Sequence, residues 1–293
     1  METLIPLISG ACTGPLGIAH LPRFWLKMRA HAAGVLADGY RHGNGGSDEN
    51  VMETFGIDLD AFSAYIAREA PDYLSCEAWV RANARISPET IRRFNDELVS
   101  FEMPDPRFSE WSARFGLTDY KLAVHLNELD DWDLVHQQLV AADAPSTEMI
   151  PAISSSTTGP LGVLHLPRLW LKIRLHAVKR LPEAYRHGVG GFDEMVTNHV
   201  GIDRDAFVAF VETSAPSYLE TEAWVRKNAQ GLTPANVAAL NQEIRTTKMS
   251  AENAAKRRAE LGAGAEGIEL GIPLNDLDDW RQLHEQLKAV ARV

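Results

Sequence analysis

Gly14-Pro15-Leu16-Gly17 returns as Gly159-Pro160-Leu161-Gly162, and from there to Ala84 and Ala229 the chain runs in register with itself at an offset of 145. Over residues 14–84, 42 of 71 positions are identical. Beyond that block the offset becomes 146, with Asn95 and Glu97 answered by Asn241 and Glu243, and only 3 of the 15 positions from 89 to 103 match. It ends at 148, where Asn127, Asp130, Asp131, Trp132 and His136 face Asn275, Asp278, Asp279, Trp280 and His284. A period this long means one structural unit used twice. The chain therefore divides into two homologous modules, residues 1–145 and 146–293. A residue that stays fixed in both copies while its neighbours drift is one whose identity the unit requires.

The periodicity of each module is helical. Phe24, Trp25, Met28, Ala32, Val35 and Leu36 recur at spacings near 3 and 4, and Pro22 suits a first turn, which predicts a helix from Pro22 to Ala37 closed by Gly39. Ser47 and Asn50 open a second that stops at Gly56, and Asp58 caps a third through Phe62 and Ile66. Pro71 starts a fourth with Trp79 and Val80. Ser87-Pro88 starts a fifth that ends before Pro104 and Pro106, and a last one runs from Asp130 to Val140. Apolar and polar residues nowhere alternate for long, so the expected class is all-α with few or no strands. Ala144-Pro145-Ser146-Thr147 is the expected linker, and Ser154–Thr158 a flexible entry to the second copy.

The 293 residues hold 29 basic and 40 acidic side chains, a net −11. That balance argues against nucleic acid or an anionic membrane as partner, since both need a positive face. Two cysteines, Cys12 and Cys76, leave no disulfide framework or thiolate cluster and suit a reducing compartment. The apolar opening Leu4–Ile8 lacks a basic leader, contains Pro6 and recurs at Met149–Ile153, so it reads as part of the folded unit, and a cytoplasmic protein without membrane spans is expected.

In Leu21-Pro22-Arg23, Lys27, Asp48 eight residues before Gly56-Ile57-Asp58, and Trp79-Val80-Arg81-Asn83, each half resembles an uncharacterised bacterial family catalogued as domain of unknown function 5069. The resemblance covers most of both halves. It implies a mostly helical domain and supplies no activity, so the chemistry must come from the residues.

Two constellations are candidates. On the first helix His20, Lys27 and His31 share a face with Arg23 beside them, repeated as His165, Lys172, His176 and Arg168. Both copies keep these residues while Ala30, Ala33 and Gly34 become Leu175, Val178 and Lys179. Two imidazoles and two cations, with Arg41 and Arg186, suit a small anionic organic molecule. The second constellation is the glycine loop Tyr40–Glu49, matched by Tyr185–Glu194. There His42 with Asp48, and His187 with Asp193, are the expected catalytic pairs, a base and its orienter or an acid and a base. Arg41-His42-Gly43 resembles a histidine-phosphatase segment, but that motif follows a buried strand and here a helix precedes it. His20, His42, Asp48 and Glu49 are ligand types for a divalent metal without a diagnostic spacing, so no metal site is assigned. Asp130 and Asp131 read as caps of the last helix, and Trp25, Trp79 and Trp132 as packing residues. Cys12, Cys76 and Ser47 are all replaced in the other copy, which removes support for a nucleophilic serine or cysteine. No phosphate-binding loop is present, so no organic cofactor is expected. The expected function is an enzyme using histidine and carboxylate for proton transfer, of lyase or isomerase type ahead of hydrolase. The alternative is a non-catalytic anion-binding or interaction module.

Overall fold

The computed structural model describes residues 3–141 and 147–290, and within them four isolated bridges accompany helices and no strand. The first copy is built from α1 (Leu21–Ala32), α2 (Gly46–Phe55), α3 (Leu59–Glu69), α4 (Tyr73–Asn83), α5 (Pro88–Ser100), α6 (Arg107–Phe115) and α7 (Ala123–Ala141). The second repeats the order as α8 (Leu166–Ala177), α9 (Gly191–Val200), α10 (Arg204–Ser214), α11 (Tyr218–Asn228), α12 (Pro234–Thr246), α13 (Ala251–Leu261) and α14 (Gly271–Val290). The fold is all-α and duplicated, as the repeat predicts. The expected boundary at 145/146, and all of the linker except Thr147, lie outside the described residues.

Local chemistry explains most of the helix starts. Asp58 and Ser87 accept from Ala61 N at 2.8 Å and Thr90 N at 3.1 Å, satisfying donors that a helix N-terminus leaves open. α1 stops at Ala32, five residues before the expected end. The reason is a competing partner: Leu4 N donates to Val35 O at 2.6 Å and Ala37 N to Leu4 O at 3.0 Å, so Val35 and Leu36 bury themselves by bridging the amino-terminal segment. α6 and α13 occupy the stretch where the copies agree least and are an addition to the expected set. α7 begins seven residues before Asp130, which places Asp130 and Asp131 inside a helix, so they are not its caps.

α1 and α8 are central. Every residue from Leu21 to Ala30, and from Leu166 to Leu175, is buried, the cations included. α1 packs on α3 and α4, and α8 on α9, α10 and α11. Trp25 and Trp170 donate to Pro71 O at 3.1 Å and Pro216 O at 3.0 Å, so the buried indole N–H groups are satisfied.

The halves are not beads on a string. The last helix of each copy packs on the fourth helix of the other, α14 on α4 and α7 on α11. Trp280 meets Tyr73 edge-on at 4.5 Å, and Trp132 meets Tyr218 in the same way at 4.6 Å. One cluster of buried apolar side chains runs through both copies. Among the described residues no helix is long and apolar enough to cross a membrane.

Candidate active site in each copy

A central helix that buries Arg23 and Lys27 must find them partners, because an unpaired charge in the interior costs several kcal/mol. The partners are carboxylates from the loop helix and the last helix. His20 precedes α1 in a left-handed conformation, φ 67°, as His165 does before α8. For a residue other than glycine this conformation costs about 1–3 kcal/mol, and such strain gathers at functional positions. It turns the His20 ring to Asp48 in the first turn of α2, with Nε2 at 2.7 Å from Oδ1. Lys27 Nζ reaches the same oxygen at 2.6 Å, and Gly43 N donates to Oδ2 at 3.0 Å. Burial pushes the Asp48 carboxyl up, but the bonds from His20 and Lys27 outweigh it and hold it well below the usual carboxylate range. Burial lowers His20 to about 4 against the pull of Asp48. The imidazole is therefore neutral at neutral pH. An ionised carboxylate only accepts, so Nε2 carries the proton and Nδ1 the lone pair.

Arg23 is bound twice to Asp131, Nη1 to Oδ2 at 2.6 Å and Nη2 to Oδ1 at 3.2 Å, and it also donates to the carbonyls of Pro6 and Ile8. Tyr40 Oη donates to Asp131 Oδ1 at 2.5 Å. Arg23 and Lys27 are thus each committed to a buried carboxylate, which corrects the expectation that they hold the charge of a ligand.

A third group is Glu128 of α7. Its Oε1 is hydrogen bonded to Ser9 Oγ, and its Oε2 is buried without a partner among the described residues. Burial raises it to about 8, with the Asp131 charge adding to the effect, so Glu128 is protonated at neutral pH. His20 and Glu128 both line a cavity of about 410 Å³, together with Gly10, Ser47, Asn50 and Asn127. A Cβ at Gly10 would come within 3.2 Å of His20 Nδ1, so glycine leaves that nitrogen open. No hydrogen bond to Nδ1 is made among the described residues.

The second copy repeats the frame. His165 Nε2 and Lys172 Nζ approach Asp193 Oδ1 at 2.6 and 2.5 Å, Arg168 holds Asp279 and Tyr185 Oη reaches Asp279 at 2.7 Å. Ser154 Oγ donates to Asp276 Oδ2 at 2.8 Å, and burial lifts Asp276 to about 7. The lining differs. Ser155 stands in place of Gly10 and its Oγ lies 2.8 Å from His165 Nδ1. Phe192 and Met195 replace Ser47 and Asn50, and the Phe192 ring meets His165 edge-on at 5.5 Å and packs against Gly271. Ser154 and Ser155 are buried and bonded, which corrects the expectation of a flexible entry. The cavity at this frame is larger, about 780 Å³: His165, Arg168, Phe192 and Asn275 line it where His20, Arg23, Ser47 and Asn127 line the first, and it extends to Tyr185, Arg186, Lys256, Arg257 and Arg281. The Cys12 thiol is buried, which pushes its pKa up.

His42 and His187 are not partners of Asp48 and Asp193. The glycine loop turns them outward to stack on His31 and His176, with ring centroids 3.6 Å apart in both copies. His31, His176, Arg41, Arg186 and Glu49 are exposed. Sequence reasoning missed Ser9, Glu128 and Tyr40 with their counterparts, and assigned Asp131 to a cap. The available signal was retention: Ser9, Tyr40 and Asp131 recur unchanged, and Glu128 recurs as Asp276.

A comparison with curated proteins finds no match. The family model described as Domain of unknown function (DUF5069) matches residues 15–120 and again 152–281, which take in His20, Arg23, Lys27 and Asp48 of the first frame, without Ser9, Glu128 and Asp131, and His165, Arg168, Lys172, Asp193 and Asp279 of the second. The chain belongs to that family and carries its domain twice in tandem.

Proposed function

We propose that the first copy is an acid–base enzyme acting on a small polar molecule in the 410 Å³ cavity, with His20 Nδ1 as base and Glu128 as acid. The observation that carries this reading is the pairing of opposite protonation states at one cavity: a neutral imidazole with an unengaged lone pair and a protonated carboxyl with an unengaged oxygen. Asp48 fixes the tautomer of His20, and Lys27 balances its charge. Proton removal by His20 with proton delivery by Glu128 to a carbonyl or leaving hydroxyl fits an isomerase or lyase. Each well-placed step of this kind is worth roughly 10²–10⁴ in rate. Arg23 is the cavity's cation and is already paired, so Ser47, Asn50, Thr54 and Asn127 favour a substrate held by hydrogen bonds. The second reading, anion binding without turnover, is favoured in the other copy, where Arg186 and Lys256 line the larger cavity beside Arg257 and Arg281, which are paired with Asp278.

The test is depletion of components from a metabolite mixture, followed by mass spectrometry, with wild type and the near-isosteric variants His20→Asn, Glu128→Gln and His165→Asn. A component consumed by wild type and by His165→Asn should be consumed roughly 10²–10⁴ times more slowly by the other two. Undiminished consumption by folded His20→Asn rejects the assignment.

A further inference from the structure

We propose that the second copy carries a divalent metal site made of His176, His187 and Glu212, suited to zinc or a neighbouring first-row ion. The ligands come from three segments, the last turn of α8, the glycine loop and α10, and one donor atom from each lies within 4.8 Å of the other two. His176 Nδ1 is already 2.8 Å from Glu212 Oε1, and the His187 ring lies on His176.

The backbone that presents them is set. α10 packs on α8, and Gly188 lies so close to α10 that a Cβ there would meet Val208 at 2.7 Å. Gly188 N is tied to Asp193 Oδ2 at 2.8 Å, which anchors the loop beside His187. What must change on binding is side-chain rotation. Bonds of about 2.0–2.2 Å in tetrahedral geometry bring donor atoms roughly 3.3 Å apart, and an ion is held in the plane of each imidazole, so the two rings must swing out of their stack. His176 is exposed and the other two are half-buried, which leaves room for that rotation.

Two imidazoles and one carboxylate select zinc, cobalt or nickel over magnesium and calcium, which prefer oxygen sets. Three protein ligands leave a position for water or a further ligand. The first copy supplies an internal control. His31 and His42 stack there in the same way, with centroids at 3.6 Å, but Ala67 stands where Glu212 does. None of the three residues lines the cavity assigned to catalysis, so this site is independent of the proposed reaction.

Calorimetric titration of the full chain with zinc chloride, after chelation and removal of the chelator, tests the site. One equivalent is expected, weakened by about tenfold or more in both His176→Ala and Glu212→Gln, since even the loss of outer-shell partners has effects of that size. No binding, or an equivalent that either variant leaves at full affinity, overturns the proposal. Ala67→Glu should add a second equivalent by completing the set in the first copy. If it does not, the claim that these three groups suffice is overturned. Thermal unfolding of each variant without zinc confirms that the fold is intact.

Discussion

The two copies agree where charge is buried and differ where space is enclosed. Histidine, lysine and the loop amide meet Asp48 at 2.7, 2.6 and 3.0 Å in the first copy and Asp193 at 2.6, 2.5 and 2.8 Å in the second. Yet each histidine lines a cavity of its own, and the first copy leaves the other imidazole nitrogen without a hydrogen bond among the described residues, while the second spends it on Ser155 and packs Phe192 against the ring. A buried cation that loses its carboxylate is left uncompensated, so the frame resists drift whatever the cavity does. Residues lining a cavity have no such debt. The ion network is therefore scaffold as much as chemistry, and the lining decides what each cavity can accept.

The largest effect should come from breaking the shared frame. Asp131→Ala strands the buried Arg23 and Asp279→Ala strands Arg168, and each should cost about 3–5 kcal/mol in denaturant unfolding. Near-equal losses are expected from the matched pairs, and a much milder loss in one copy would break the symmetry of the scaffold. A smaller, pH-dependent effect separates the buried acids. Burial raises Glu128 from 4.5 to about 8 and Asp276 from 3.8 to about 7, so the folded state keeps protons that the unfolded chain releases. The stability that each supplies is complete below its unfolded pKa and is lost as pH rises through the folded value, on the order of a few kcal/mol in all. Unfolding measured from pH 5 to 9 should decline up to about pH 8 in wild type and in Asp276→Asn. In Glu128→Gln it should level off near pH 7. Least costly to the fold, and most specific to the comparison, is Phe192→Ser with Ser155→Gly. A compound that binds wild type with one equivalent should bind this variant with two, read by calorimetry and by a larger thermal shift. A single equivalent would show that Phe192 and Ser155 are not what keeps that compound from His165.

What the chain's local chemistry controls was legible in advance. Asp58, Ser87 and the first-turn prolines mark helix starts that need only neighbours three or four residues away. The pairing of His20 with Asp48 spans 28 residues and that of Arg23 with Asp131 spans 108, and no spacing rule reaches so far. Proximity in sequence favoured His42 as the partner of Asp48, but the intervening glycines let the loop turn His42 out onto His31. His20, Lys27, Asp48 and Asp131, which form the buried frame, are all retained in both copies, but retention says nothing about who meets whom. Between residues 89 and 120 even that help failed, since the copies have diverged most there, and α6 was missed.

The crossing of each last helix onto the opposite half bears on how the two cavities could come to differ. α7 on α11 and α14 on α4 form a self-complementary contact, the geometry by which two identical subunits make a twofold dimer. In a dimer of identical chains, a phenylalanine at the Ser47 position would change both pockets in a single step. Joined in one polypeptide, the halves are released from that symmetry. One subunit equivalent can then be relined, or given a carboxylate such as Glu212, while it still contributes the helix that its counterpart packs against.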